Sequence, residues 1–350
     1  MPKNQPLKNK EYWMERQEAL SEQLLNKGEE FYEKLAAEYQ TASNSIEDEI
    51  NKFYSRFAQN NEISFADAKQ KLTTAERKKF QLTLDQYIKK GRTLNYSDKW
   101  IKTLENASLL YRISRLQSIQ LQMRQIIEDL NVTFVQGTMD LMGSVYTDSY
   151  YLHLFELAKG TNAAVRFDRV DEGFVEKLIA RPWTADNVNL TDRIRVNKDK
   201  LIDYLDTRFT QGLIRGDGKA AIIKDMSNQM NVSRNSAGRF VMTETAFYSS
   251  AATNDAYKTH GVEEFEFLAT LDKKTSEVCR TMDGVISKRS DYRVGVNAPP
   301  LHVYCRSTTI PVVDDIWDDE PERAARSSDG KYYRVPANIN YDTWFNEYAI

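Results

Sequence analysis

Both cysteines of the chain, Cys279 and Cys305, and one of its three histidines, His302, fall within residues 267–311. A thiol beside an imidazole is the equipment of nucleophilic catalysis, with the ring as base. The spacing argues against that use. Residues 302–313 alternate, with Val303, Ile310, Val312 and two threonines, and predict a final strand. In a strand, residues three apart point to opposite faces, which separates His302 from Cys305. Cys279 is free to meet His302, but no third residue stands out to orient the ring. His153 lies on an apolar helical face and is expected to be a packed core histidine; His260 closes a helix. Glu244 and Arg239, on one predicted helix, read as a buried ion pair or cap rather than a catalytic pair. Enzymatic chemistry is not expected.

The elements that hold this stretch follow from local signals. Phe265, Phe267 and Leu268 begin a short strand. Asp283-Gly284 is a turn dipeptide, because glycine tolerates positive φ, and Val285 and Ile286 begin the return strand. Residues 288–297 are polar and predict an exposed loop. Pro299 and Pro300 impose an extended approach. The result is a small, mostly antiparallel β element with cysteines near its two ends.

The chain has 350 residues and a net charge of −3, enough for a substantial core and one to three domains. No run approaches the roughly 18 apolar residues of a membrane span, and the N-terminus shows no secretory pattern. Two cysteines do not make a disulfide framework, so synthesis in a reducing compartment is expected. The charge is uneven. Residues 61–130 carry 13 basic and 8 acidic side chains, net +5; residues 241–350 carry 12 and 18, net −6. The basic stretch includes Lys78, Lys79, Lys89, Lys90 and Arg92. It reads either as a DNA contact or as a solvated helical surface.

Upstream, apolar or small residues recur at Leu20, Leu24, Gly28, Phe31, Leu35, Tyr39, Ala42, Ile46, Ile50, Phe53 and Phe57. These steps of four, four and three repeat every 11 residues and predict one long helix over about residues 11–60, with partial breaks at Gly28 and residues 41–45. Asn60-Asn61 marks its end. Ser64 caps a short helix, and Thr73 or Thr74 with Glu76 caps another that stops at Gly91. Residues 95–130 predict a third amphipathic helix, continued over 131–159. Further helices are expected over 190–212, 219–230 and 236–259. The tail has an acidic run (Asp314, Asp315, Asp318, Asp319, Glu320, Glu322) and an aromatic end. It reads as a docking peptide or as a segment folded back on its own domain. The fold class is mainly α with a small β element: a long-helix arm or bundle over 1–160, a compact helical domain ending in a short antiparallel sheet over 161–312, and a tail over 313–350.

An ordered series of motifs runs through the second half. Trp183 is followed by Arg193-Ile194, the turn at 213–218, and a helix with Arg239, Thr243 and Glu244. Then come Gly261-Val262, Leu271-Asp272, Thr275, Cys279, Asp283-Gly284, and Pro299-Pro300-Leu301-His302-Val303-Tyr304-Cys305-Arg306. The series, over roughly 170–312, resembles the phage head morphogenesis family, minor head proteins similar to the F protein of phage Mu. The resemblance implies a structural minor capsid protein inside the virion head near the portal, in the host cytoplasm during assembly. The implied partners are the portal protein, with scaffolding protein, major capsid protein and genomic double-stranded DNA behind it; a membrane is not among them. The implied role is in head assembly, extending to DNA packaging or ejection; the alternative, motivated by the basic stretch, is a nonspecific DNA-binding protein carried in the head and delivered with the genome. The family pattern often carries further cysteines, where this chain has Met282 and Ser307. That leaves Cys279, His302 and Cys305 as three ligands, one short of a closed zinc site, with Asp272 or Asp283 as a candidate fourth. A reduced thiol pair beside a hydrogen-bonded histidine, a structural zinc, and a disulfide all remain open; no other cofactor is implied.

Overall fold

A computed structural model describes residues 8–57, 63–110, 112–161, 170–184, 186–313, 322–327, 331–336, 339 and 341–347. The break expected at Asn60-Asn61 and most of the acidic run (Asp314, Asp315, Asp318, Asp319, Glu320) lie outside the described residues. The fold is mainly α. In order the helices are α1 (Lys10–Phe57), α2 (Phe65–Ala68), α3 (Thr74–Thr93), α4 (Asp98–Leu109), α5 (Arg115–Thr161), α6 (Glu172–Ala180), α7 (Leu190–Arg215) and α8 (Lys219–His260). Strand β1 (Glu264–Leu268), helix α9 (Glu277–Met282), strands β2 (Ile286–Lys288), β3 (Thr308–Val312), β4 (Glu322–Arg326) and β5 (Tyr332–Pro336), and helix α10 (Tyr341–Glu347) follow. None of these helices is long and apolar enough to cross a membrane.

The chain forms two compact units, both discontinuous in sequence. The first comprises residues 1–32, 138–179 and 238–350; the second comprises 33–137 and 180–237. This differs from a linear division at 160 and 312, because α1, α5 and α8 each supply residues to both units.

In the first unit, an antiparallel sheet of order β2-β1-β3 covers the C-terminal half of α8. Phe265 of β1 faces Pro311 of β3 and Ser287 of β2. The core joins Trp13 and Met14 of α1, Leu154 and Leu157 of α5, Ala256 and Tyr257 of α8, and Phe265, Leu268 and Ile310 of the sheet. The Tyr257 hydroxyl donates to the Thr309 carbonyl at 2.9 Å, tying helix to sheet. The tail folds back: β4 and β5 pair as a hairpin, and Ala325, Val335 and Trp344 pack on Leu271. In the second unit, α3 and α4 form a hairpin around Phe80, Leu84, Trp100 and Leu104. Thr73 and Glu76 make the expected reciprocal cap of α3.

Several expected boundaries move. Helix α1 is unbroken at Gly28, which is buried against Thr245 of α8. Gly91 does not end α3 but lies inside it, under Tyr96 and Ile101. The helix predicted over 95–130 is interrupted between α4 and α5. Leu110 is extended, and Ser114 and Gln117 exchange backbone-to-side-chain hydrogen bonds at 2.9 and 3.1 Å, a reciprocal cap that starts α5. The helices predicted over 219–230 and 236–259 are one continuous α8. Its polar middle is not a break: Ser233 is buried and hydrogen-bonds Tyr39 and Asn197.

Candidate functional site

The site is built on the short connections around β1. After Leu268 the chain turns at Asp272, whose Oδ1 accepts the Lys274 N–H at 2.8 Å and the Thr275 hydroxyl at 3.1 Å. Ser276 caps α9 by accepting the Cys279 N–H, and so starts a helix whose buried side carries Cys279. That helix stops at Asp283-Gly284, where Gly284 has φ +78°. The Asp283 carboxylate accepts the Ala269 N–H at 2.9 Å, and Gly284 N–H donates to the Phe267 carbonyl at 2.9 Å. The expected turn and return strand therefore form as β1–α9–β2.

The far side of the site departs from the strand expected over 302–313. The strand begins only at Thr308. The Pro299–Pro300 peptide is cis, Tyr304 has φ +60°, and the Cys305 N–H donates to the His302 carbonyl at 3.2 Å. His302 and Cys305 thus sit on a turn, where the opposite-face argument does not apply. Their ligand atoms and the Cys279 sulfur all lie within 4.8 Å of one another.

The two sulfurs are 3.6 Å apart and are separate thiols in the structure. Both cysteines are buried with Phe267 and Ala269, and Met282 and Leu301 pack against them. His302 is half-buried, and its Nδ1–H donates to the Val303 carbonyl at 2.7 Å. The hydrogen bond from Cys279 lowers the Cys305 pKa to about 6 against the opposing effect of burial, with N–H groups at Leu301 and Ser307 adding to it. The same hydrogen bond, and then burial, push the Cys279 thiol well above its ordinary value. Ser307, buried beside the pair, acts to lower the pKa of both thiols.

Neither candidate fourth ligand joins the trio. The Arg306 guanidinium holds Asp272, with Nη2 at 2.8 Å from Oδ1 and Nη1 on Oδ2. Burial acts to raise the Asp272 pKa, but this bond and the Arg306 charge outweigh it and keep the carboxyl below its usual range. Asp283 is engaged by Ala269 as described. Among the described residues the metal-competent set is Cys279, His302 and Cys305.

The other motif residues are dispersed. Arg239 is exposed, Thr243 half-buried and Glu244 buried on α8. The Thr243 hydroxyl donates to the Arg239 carbonyl at 2.7 Å and accepts the Tyr304 N–H at 3.4 Å, which links α8 to the His302 turn. Pro300 is buried beneath that turn. Trp183 is half-buried in the second unit, before α7. His153 is a packed core residue, between the Ser149 carbonyl at 2.6 Å and the Thr253 hydroxyl at 3.2 Å, and burial lowers its pKa to about 4. In the basic stretch, Lys90 pairs with Asp129 at 2.8 Å and Arg92 with Glu105 at 2.7 Å. Lys78, Lys79 and Lys89 are exposed on α3. Sequence reading missed Ser276 and Ser307; a serine three residues before Cys279 was the visible signal for the first.

No curated protein and no solved structure matches the chain significantly. The family model described as Phage Mu protein F like protein matches residues 203–310, a span that takes in the second half of α7, all of α8, the β1–α9–β2 unit, the thiol–histidine turn and most of β3. Over that span the chain carries a domain of the phage Mu F-like head morphogenesis family.

Proposed function

We propose that this protein is a structural minor head protein of a tailed bacteriophage that acts at the portal vertex during head assembly. The carrying observation is the family match over 203–310, which covers most of the motif series, from the turn at 213–218 through Arg306. The helical remainder is compatible with a scaffolding or docking role, since long helices with exposed charged faces present extended surfaces without chemistry. On this reading the portal protein is the first partner, and the major capsid and scaffolding proteins are the next. Co-expression with the portal protein of the same genome, followed by size-exclusion chromatography with mass detection, tests it. A stable co-eluting complex supports the reading. Separate elution, together with absence of the chain from purified virions, defeats it.

A second reading, nonspecific DNA binding inside the head, is favoured by one observation. Lys78, Lys79 and Lys89 project from α3 with no ion pair among the described residues. Phosphate contacts release counterions, so such binding must weaken steeply with salt. A duplex-DNA anisotropy titration at about 50 and 200 mM salt checks this, with a Lys78→Ala/Lys79→Ala/Lys89→Ala variant as control. Equal signals from wild type and variant would remove these lysines from the interface.

A further inference from the structure

We propose that Cys279, Cys305 and His302 together bind one zinc ion, with a water molecule in the fourth position. The argument is geometric. Two thiolates on a tetrahedral zinc at about 2.3 Å stand about 3.8 Å apart, and an imidazole nitrogen stands about 3.5 Å from each. Here the sulfurs are 3.6 Å apart, already at that spacing, and the histidine ligand atom lies within 4.8 Å of both. A covalent sulfur–sulfur bond at about 2.0 Å would require a much larger closure.

The surroundings match the chemistry. The Val303 carbonyl accepts the Nδ1–H of His302, which leaves Nε2 as the nitrogen able to offer a lone pair to a metal. Asp272 grips Arg306, the residue next to Cys305. Such outer partners fix the orientation of ligands. Binding replaces the two thiol protons, which leave to solvent, by one divalent cation. The resulting centre is neutral and suits a buried pocket. With both carboxylates engaged elsewhere, no acidic residue among the described ones joins the set, and His302 is only half-buried, so water is the fourth ligand. The ion would cross-link α9 to the turn before β3.

The inference does not depend on the head-protein reading, and its test does not use assembly. The full chain, purified with reductant and stripped by chelator, is titrated with Co2+ alone. The expected result is sulfur-to-cobalt charge-transfer absorption with strong four-coordinate visible bands, saturating at one equivalent and bleached by one equivalent of Zn2+. Cys305→Ser should reduce the charge-transfer band. His302→Gln should keep a weaker band and lower affinity by more than the roughly 10–100-fold lost when outer partners are removed. Circular dichroism of each variant separates loss of the site from loss of the fold. Absence of the bands in wild type, with two free thiols titrated in denaturant, overturns the proposal. A titration that finds no free thiols before metal is added also overturns it, in favour of a disulfide.

Discussion

The Arg306 guanidinium holds the Asp272 carboxylate through two nitrogens, with Nη2 2.8 Å from Oδ1. The pair joins the loop ahead of α9 to the residue after Cys305, so it sets the distance between the segments that carry the two thiols. Its carboxylate side chain is 8 % exposed and its guanidinium 31 %. Breaking a buried pair costs about 3–5 kcal/mol, and the exposed guanidinium reduces this to about 2–3 kcal/mol for Arg306→Ala. Urea denaturation measures it, and a cycle with Asp272→Asn should show a coupling of at least about 1 kcal/mol. Additive losses would mean that the two residues act independently.

Gly28 and Thr245 give a second test. A Cβ at Gly28 would lie 2.6 Å from Thr245 Oγ1 and 3.2 Å from its Cβ and Cγ2. Gly28→Ala should destabilise by about 1–3 kcal/mol through overpacking, despite a helix-propensity gain of about 1 kcal/mol. Adding Thr245→Ala should recover most of the loss. Gly143 is the contrast, since a Cβ there meets only Val175 Cγ1 at 3.9 Å. Gly143→Ala should raise stability by up to about 1 kcal/mol.

A buried histidine and a half-buried aspartate titrate in opposite senses across one pH window. Burial lowers the His153 pKa from 6.5 to about 4. The unfolded chain takes up this proton first, so stability falls as pH drops from about 6.5 to about 4, by at most about 3 kcal/mol. Burial raises the Asp206 pKa from 3.8 to about 6, against Arg124 and with Asp203. Here the folded chain holds the proton longer, so stability falls as pH rises through about 4 to 6, by about 1–2 kcal/mol after allowance for solvent. Asp206→Asn should therefore stabilise the protein near pH 7, by about 1–2 kcal/mol, and steepen its loss of stability in acid. His153→Gln should flatten that loss. Denaturant midpoints across the window measure both; an unchanged slope in either variant would remove that residue from the account.

The span 203–310 should not fold when expressed alone. Its sheet packs on Trp13, Met14, Leu154 and Leu157, all outside it. Circular dichroism and solubility of that fragment, against the full chain, check this. A cooperative melt of the isolated fragment would contradict it.

What could be read from sequence followed physical range. The stripe of α1 was legible because Leu24, Leu35, Ile46 and Ile50 sit at helical spacing and are all buried. The Asp283-Gly284 turn was legible because glycine's freedom is local. The start of α5 had a visible signal in Ser114 and Gln117, but apolar spacing through Leu109 and Ile113 masked it. The continuity of α8 was not legible, because the partners that satisfy Ser233 come from distant helices. The site itself was half legible. Its residue types were evident, but alternating Val303 and Thr308 imitate a strand, where the structure has a turn with Tyr304 at positive φ and His302 near the sulfurs.

The core of the first unit also constrains the order of folding. Trp13 and Met14 share one cluster with Ile310, nearly the whole chain apart. Contacts this remote must overcome a large loop-closure entropy before they are rewarded, so they slow folding. During synthesis the N-terminal end of α1 has no partner sheet until about residue 310 has left the ribosome, and its apolar stripe stays uncovered for most of translation. The second unit needs nothing beyond residue 237 and can close earlier. The chain is thereby expected to fold from its sequence middle outward, with the thiol–histidine turn among the last features to form.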